Sequence, residues 1–132
     1  MTSQWSSSDA WVAGAIAWAS ARNKVELSRV IGAVDGLNKV LISRAELEQA
    51  IRRLCGAGLL TVEGETFRLT AAGEALIGPV EDGKEFSGIF TRLIQVPFAE
   101  VEWNLADEVY EAAVAAYRER WRQYDLGGPP PC

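Results

Sequence analysis

The chain is expected to be mainly α with a small antiparallel β wing, because three independent signals agree. The first is Ser43 followed by Glu46, a capping box in which hydroxyl and carboxylate each satisfy a free backbone N–H at a helix start. Leu47, Ala50, Ile51 and Leu54 then recur at the i, i+3, i+4, i+7 spacing of one buried helix face. The second is the glycine stop Gly56-Ala57-Gly58, after which Leu60, Val62, Phe67 and Leu69 flank Glu63-Gly64-Glu65 as two short strands around a tight turn. The third is helical spacing of apolar residues on both sides of this unit.

Taken in order, residues 1 to 7 are polar and expected to be loose. Asp9 to Ala21 reads as a buried helix behind a Ser8-Asp9 cap, with Trp11, Ile16 and Trp18 among alanines. Its tryptophans are read first as core, with an exposed Trp5 or Trp11 as the alternative. Val25 to Leu37 is a second helix carrying Leu27, Val30, Ile31 and Val34, ended by Asp35-Gly36. The link Asn38 to Ile42 is long and hydrophobic, and Val40-Leu41-Ile42 is expected either to extend against the hairpin or to tuck under the helix that begins at Ser43.

After the hairpin, Ala71 to Ile77 is a short helix cut off by Gly78-Pro79, and Glu81-Asp82-Gly83 is the boundary between a first unit, 1–78, and a C-terminal extension, 79–132. Glu85 to Val96 carries the stripe Phe86, Ile89, Phe90, Leu93 and Ile94, stopped by Pro97. The last helix runs from about Asn104 to Tyr124, with acids in its first turns and Arg118, Arg120 and Arg122 at its end, the polarity a helix dipole favours. A tail from Gly127 to Cys132 is expected to fray.

Charge divides unevenly along the 132 residues. Through Gly78 the acidic and basic residues balance, so the whole net charge of −5 belongs to the C-terminal part. There is no basic run of the kind that neutralises nucleic-acid phosphates in bulk. With no histidine, the commonest general base, the Ser-His and Cys-His pairs and most zinc sites are excluded, so no catalytic residue, metal ligand or cofactor is assigned. Cys55 and Cys132 suggest neither a disulfide framework nor a metal site and fit a reducing cytoplasm. The apolar run Ala10 to Ala19 lacks a preceding Lys or Arg and is read as a core helix rather than a signal peptide, and no stretch is long enough to span a membrane.

Helix, Gly-Leu stop, hairpin and the following Leu69-Thr70-x-x-Gly73 resemble the recognition helix and wing of winged helix-turn-helix proteins, most closely the MarR-like and PadR-like bacterial regulators, over roughly Asp9 to Ile77. The resemblance implies a regulator that grips double-stranded DNA as a homodimer. It places Ala45, Glu46, Glu48 and Gln49 toward the major groove, and makes Lys39, Arg44, Gln49, Arg52, Arg53 and Arg68 the DNA-binding candidates. The departures are the long link before Ser43 and the acidic wing tip, Glu63 and Glu65. Arg44 and Arg52 each stand four residues from Glu48 and could pair with it, whereas Arg53 has uncharged Gln49 at that spacing. Tyr110, Val114, Tyr117, Trp121 and Tyr124 form the stripe of the last helix, which either folds back over the core or pairs with its copy in a dimer. Two functions remain open: a DNA-binding regulator, ranked first on the resemblance, and a winged-helix protein-interaction module that uses its acidic surface and aromatic helix for a protein partner.

Overall fold

A computed structural model of the chain describes residues 4–20, 24–38, 41–78 and 86–127. The expected boundary at 81–83, the tail beyond Gly127, and Lys39 and Val40 lie outside the described residues. In chain order the elements are α1 (Ser7–Ser20), β1 (Val25–Glu26), α2 (Leu27–Asn38), α3 (Arg44–Gly56), β2 (Leu60–Glu63), β3 (Thr66–Leu69), α4 (Ala71–Ile77), α5 (Phe86–Leu93) and α6 (Asp107–Asp125). The protein is mainly helical with one small antiparallel sheet.

The helix α1 is the axis of the core. Val12, Ala13, Ala15 and Ile16 are fully buried, because its small residues let α2, α3 and α5 all pack against it. Its start differs from the expected Ser8-Asp9 cap: the Asp9 carboxylate reaches back to accept from the Ser6 backbone N–H at 2.8 Å, so the helix opens at Ser7. Nor is the segment before it loose throughout. Trp5 is buried, and its indole N–H donates to the Val96 carbonyl at 3.0 Å. Trp11 packs partly buried on the core, and Trp18 is 37 % exposed.

Two corrections concern the second helix. Val25 begins not a helix but a strand, pairing antiparallel with Phe67, and the Leu27 N–H continues the ladder to the Glu65 carbonyl at 3.0 Å. A β-branched residue facing an aromatic one is favourable across strands, and α2 can start only once that pairing ends. Asp35-Gly36 lies inside α2 rather than ending it, and the Asp35 carboxylate accepts a hydrogen bond from the Tyr117 hydroxyl of α6.

The capping box at Ser43 forms in both directions, with the Glu46 N–H donating to the Ser43 hydroxyl at 3.2 Å. Leu47, Ala50, Ile51 and Leu54 are all fully buried. Gly58, at φ +77°, supplies the left-handed turn that releases the chain from α3 into β2. Gly64, at φ +61°, does the same at the hairpin tip, and the sheet order is β1-β3-β2. The link before Ser43 resolves in one respect: Ile42 is fully buried and Leu41 is exposed, with no strand at either residue.

The C-terminal helices join the same core. Ile89, Leu93, Leu105, Ala113, Val114 and Tyr117 belong to one buried cluster with α1, α2 and α3. The helix α5 ends at Leu93, short of the expected Val96: the chain tightens into i→i−3 bonds at Gln95 and Val96, and Ile94 turns outward at 41 % exposure. Arg92 donates to the carbonyls of Leu76 and Ile77, closing the end of α4. The helix α6 lies on α2, where a Cβ at Gly32 would come within 2.8 Å of the Tyr117 ring, so the missing side chain is what seats the aromatic.

Candidate functional site: the strapped face of α3

Between α5 and α6, residues 97–106 have no regular structure and run antiparallel along α3 from its end to its start. We call this segment the strap. At its first end the Phe98 ring meets Trp5 edge-on, and the Arg53 guanidinium sits 5.1 Å from the Phe98 centroid. The strap backbone then passes so close to α3 that a Cβ on Gly56 would stand 2.6 Å from atoms of Ala99 and Glu100. The Val101 N–H donates to the Arg52 carbonyl at 3.1 Å. Trp103 packs edge-on against Phe67 of β3, with centroids 5.9 Å apart. At the far end the Leu105 N–H donates to the Glu48 carboxylate at 2.7 Å, and Arg44 donates to the Leu105 carbonyl at 3.0 Å.

These contacts decide the state of the sequence-predicted cations. Arg53 is only 12 % exposed and bridges Asp9, which is fully buried, at 3.0 Å and Glu100 at 3.3 Å. Its guanidinium therefore ties α3 to both α1 and the strap. Arg44 bridges Glu48 at 3.2 Å and Asp107 at 2.9 Å, holding the start of α6. Arg52 is half-buried beside Glu100, and its Nε is buried without a hydrogen-bond partner. Gln49 is exposed on α3 and Arg68 is exposed on β3. The strap and both acidic partners of Arg53 are the features that sequence reasoning missed. The one available signal was that Arg53 had no acid at helical spacing.

What remains open on α3 is a shallow cleft of about 380 Å³ lined by Ala45, Glu46, Glu48, Gln49, Arg52 and Glu100. Two of its three carboxylates are already paired, Glu48 with Arg44 and Glu100 with Arg53, which leaves Glu46 beside Arg52. The wing tip repeats this pattern. Glu63 pairs with Lys24, whose ammonium hydrogen-bonds the carboxylate and holds it below the usual carboxylate range, and Glu65 is exposed beside it. Comparison with protein-family models, curated proteins and solved structures returns no match.

The aromatic stripe of α6 divides in two. Tyr117 and Val114 are buried against the chain's own core, and the Tyr110 hydroxyl donates to the Ile42 carbonyl at 2.6 Å. Trp121 and Tyr124 are 41 % and 44 % exposed and meet edge-on at 5.6 Å, forming an aromatic pair on the surface. Burial pushes the Cys55 thiol up to about 11, which keeps it protonated and poorly nucleophilic at neutral pH. Among the described residues no group of three Cys, Asp or Glu side chains is arranged to hold a metal ion, and no helix is long and apolar enough to cross a membrane.

Proposed function

We propose that this chain is a winged-helix protein-interaction module whose α3 is a scaffold element rather than a DNA-reading one. The observation that carries the reading is the strap: it lies along α3 through the Val101, Leu105 and Glu48 contacts and consumes Arg44 and Arg53, two of the cations that a DNA-reading helix would offer. Glu46 in the cleft and Glu65 at the wing tip, which make no ion pair among the described residues, add like charge where a phosphate backbone would approach. The exposed Trp121–Tyr124 pair offers rigid aromatic area of the type that anchors protein interfaces.

A second reading, a DNA-binding regulator, is favoured by the sequence of α2, α3 and hairpin and by the outward Gln49 and Arg68. Titration of a fluorescent duplex separates the two. At low salt, where even non-specific binders retain affinity, the expected Kd is weaker than about 100 µM. Saturable binding tighter than about 1 µM, with a steep salt dependence, establishes the regulator instead.

A further inference from the structure

At the first end of the strap, three residues are each recognised by a different kind of contact. The Phe98 ring lies edge-on to Trp5 and 5.1 Å from the Arg53 guanidinium. The Glu100 carboxylate accepts from Arg53 Nε at 3.3 Å, and the Val101 N–H donates to the Arg52 carbonyl. From this set we infer that the notch between Trp5 and Arg53 is a recognition site for a short segment with an aromatic residue two positions ahead of an acid. The chain fills it with its own strap, and a partner protein carrying the same pattern competes for it.

The receiving groups are fixed by contacts outside residues 97–106. Arg53 is held by buried Asp9 at 3.0 Å, and Asp9 is itself held by the Ser6 N–H. The Trp5 indole donates to the Val96 carbonyl in the turn that closes α5, a helix anchored by fully buried Ile89 and Leu93. Groups set in place beforehand lower the ordering cost of binding. One guanidinium serves both ring and carboxylate, because its planar group packs on an aromatic and still donates along its edge. Gly56 completes the notch: without a Cβ there, the segment's backbone can lie against the end of α3.

The occupying segment is held more lightly than the notch. Val101 is 43 % exposed and the Glu100 side chain 38 %, while the far end of the strap has its own anchors at Trp103 and Leu105. Residues 98–101 therefore yield to a competitor without the far end leaving α3. Tethering gives the strap an effective concentration on the order of millimolar, so the chain keeps its site closed to weak ligands. The inference rests on the protein-interaction reading, and the two fail separately: a peptide reports on this notch alone, whereas the duplex titration reports on α3 toward DNA.

Fluorescence anisotropy of a labelled peptide with the sequence of residues 97–102 tests it, on the full chain carrying Phe98→Ala and Glu100→Ala. These substitutions vacate the notch and keep Trp5 and Arg53. Saturable binding with a Kd on the order of 100 µM is expected. The wild type, whose own strap competes, is expected to bind at least about tenfold more weakly. A peptide carrying Phe98→Ala is expected to lose about tenfold on the double variant. Circular dichroism verifies folding; should the double variant not fold, Glu100→Ala alone, at a carboxylate that solvent reaches, is expected to bind the peptide about threefold more tightly than the wild type. No saturable binding by a folded variant up to about 2 mM overturns the inference. So does wild-type binding as tight as that of the variants, which would place the peptide elsewhere, and so does equal binding of the Phe98→Ala peptide.

Discussion

Replacing Arg53 with Ala is expected to cost about 3 to 5 kcal/mol of folding stability, the cost of breaking a buried ion pair by removing one partner. The reason lies in what is left behind. Asp9 is fully buried, its Oδ1 has no hydrogen-bond partner, and after the substitution its Oδ2 keeps only the Ser6 N–H. The carboxylate would then stand charged among Val12, Ala13 and the α3 core with no counter-charge. Arg44→Ala provides the contrast. Its partner Asp107 is 78 % exposed and Arg44 itself 35 %, so solvent already screens that pair, and its second partner Glu48, 19 % exposed, keeps the Leu105 N–H as a donor; a smaller loss of about 1 to 2 kcal/mol is expected. Urea denaturation of both variants measures the difference. Arg53→Met, which keeps the contact with Phe98 but not the charge, is expected to resemble Arg53→Ala rather than wild type.

Phe67→Ala is expected to cost a similar amount, about 3 to 5 kcal/mol, as a large fully buried side chain lost to a cavity. Its position makes the loss more than local. Phe67 lies on the central strand β3, opposite both Val25 of β1 and Val62 of β2, and it is the ring against which Trp103 of the strap packs. The cavity therefore weakens the sheet and the strap together. A lowered urea midpoint accompanied by a red-shifted tryptophan emission is the expected result. An unchanged midpoint would mean that the sheet is not part of the cooperative core.

The parts of this fold that were legible in the sequence are those whose causes are local. The start of α3 is written in Ser43 and Glu46, its buried face in the spacing of Leu47 to Leu54, and its end in Gly58, all within sixteen residues of chain. The hairpin is equally local, because Gly64 alone permits its tip. Val25 shows where local reading fails. An apolar β-branched residue fits both a helical stripe and a strand, and only its pairing with Phe67, distant in sequence, decides between them.

The strap was illegible for the same reason in stronger form. Its anchors join Glu48 to Leu105 and Trp5 to Phe98, and Arg53 finds Asp9 rather than a neighbour on its own helix. Periodicity carries no information about such pairs. Of the cations that the sequence offers for DNA, Arg53 is tied up by burial and long-range pairing and Arg44 by pairing with Glu48 and Asp107. On α6 the reverse holds: the aromatic residues Tyr110 and Tyr117 chosen as partner candidates serve the chain's own core, while Trp121 and Tyr124 remain outside.

Everything proposed for α3 depends on the strap being held against it in solution. Native-state hydrogen exchange at the amides of Val101 and Leu105 reads this directly, since each donates to an acceptor on α3. Both are expected to exchange at least about a hundredfold more slowly than an unstructured peptide, as members of the cooperative fold. Exchange at the free-peptide rate at both amides, while Ile51 and Leu54 stay protected, would show an uncovered helix and contradict the account.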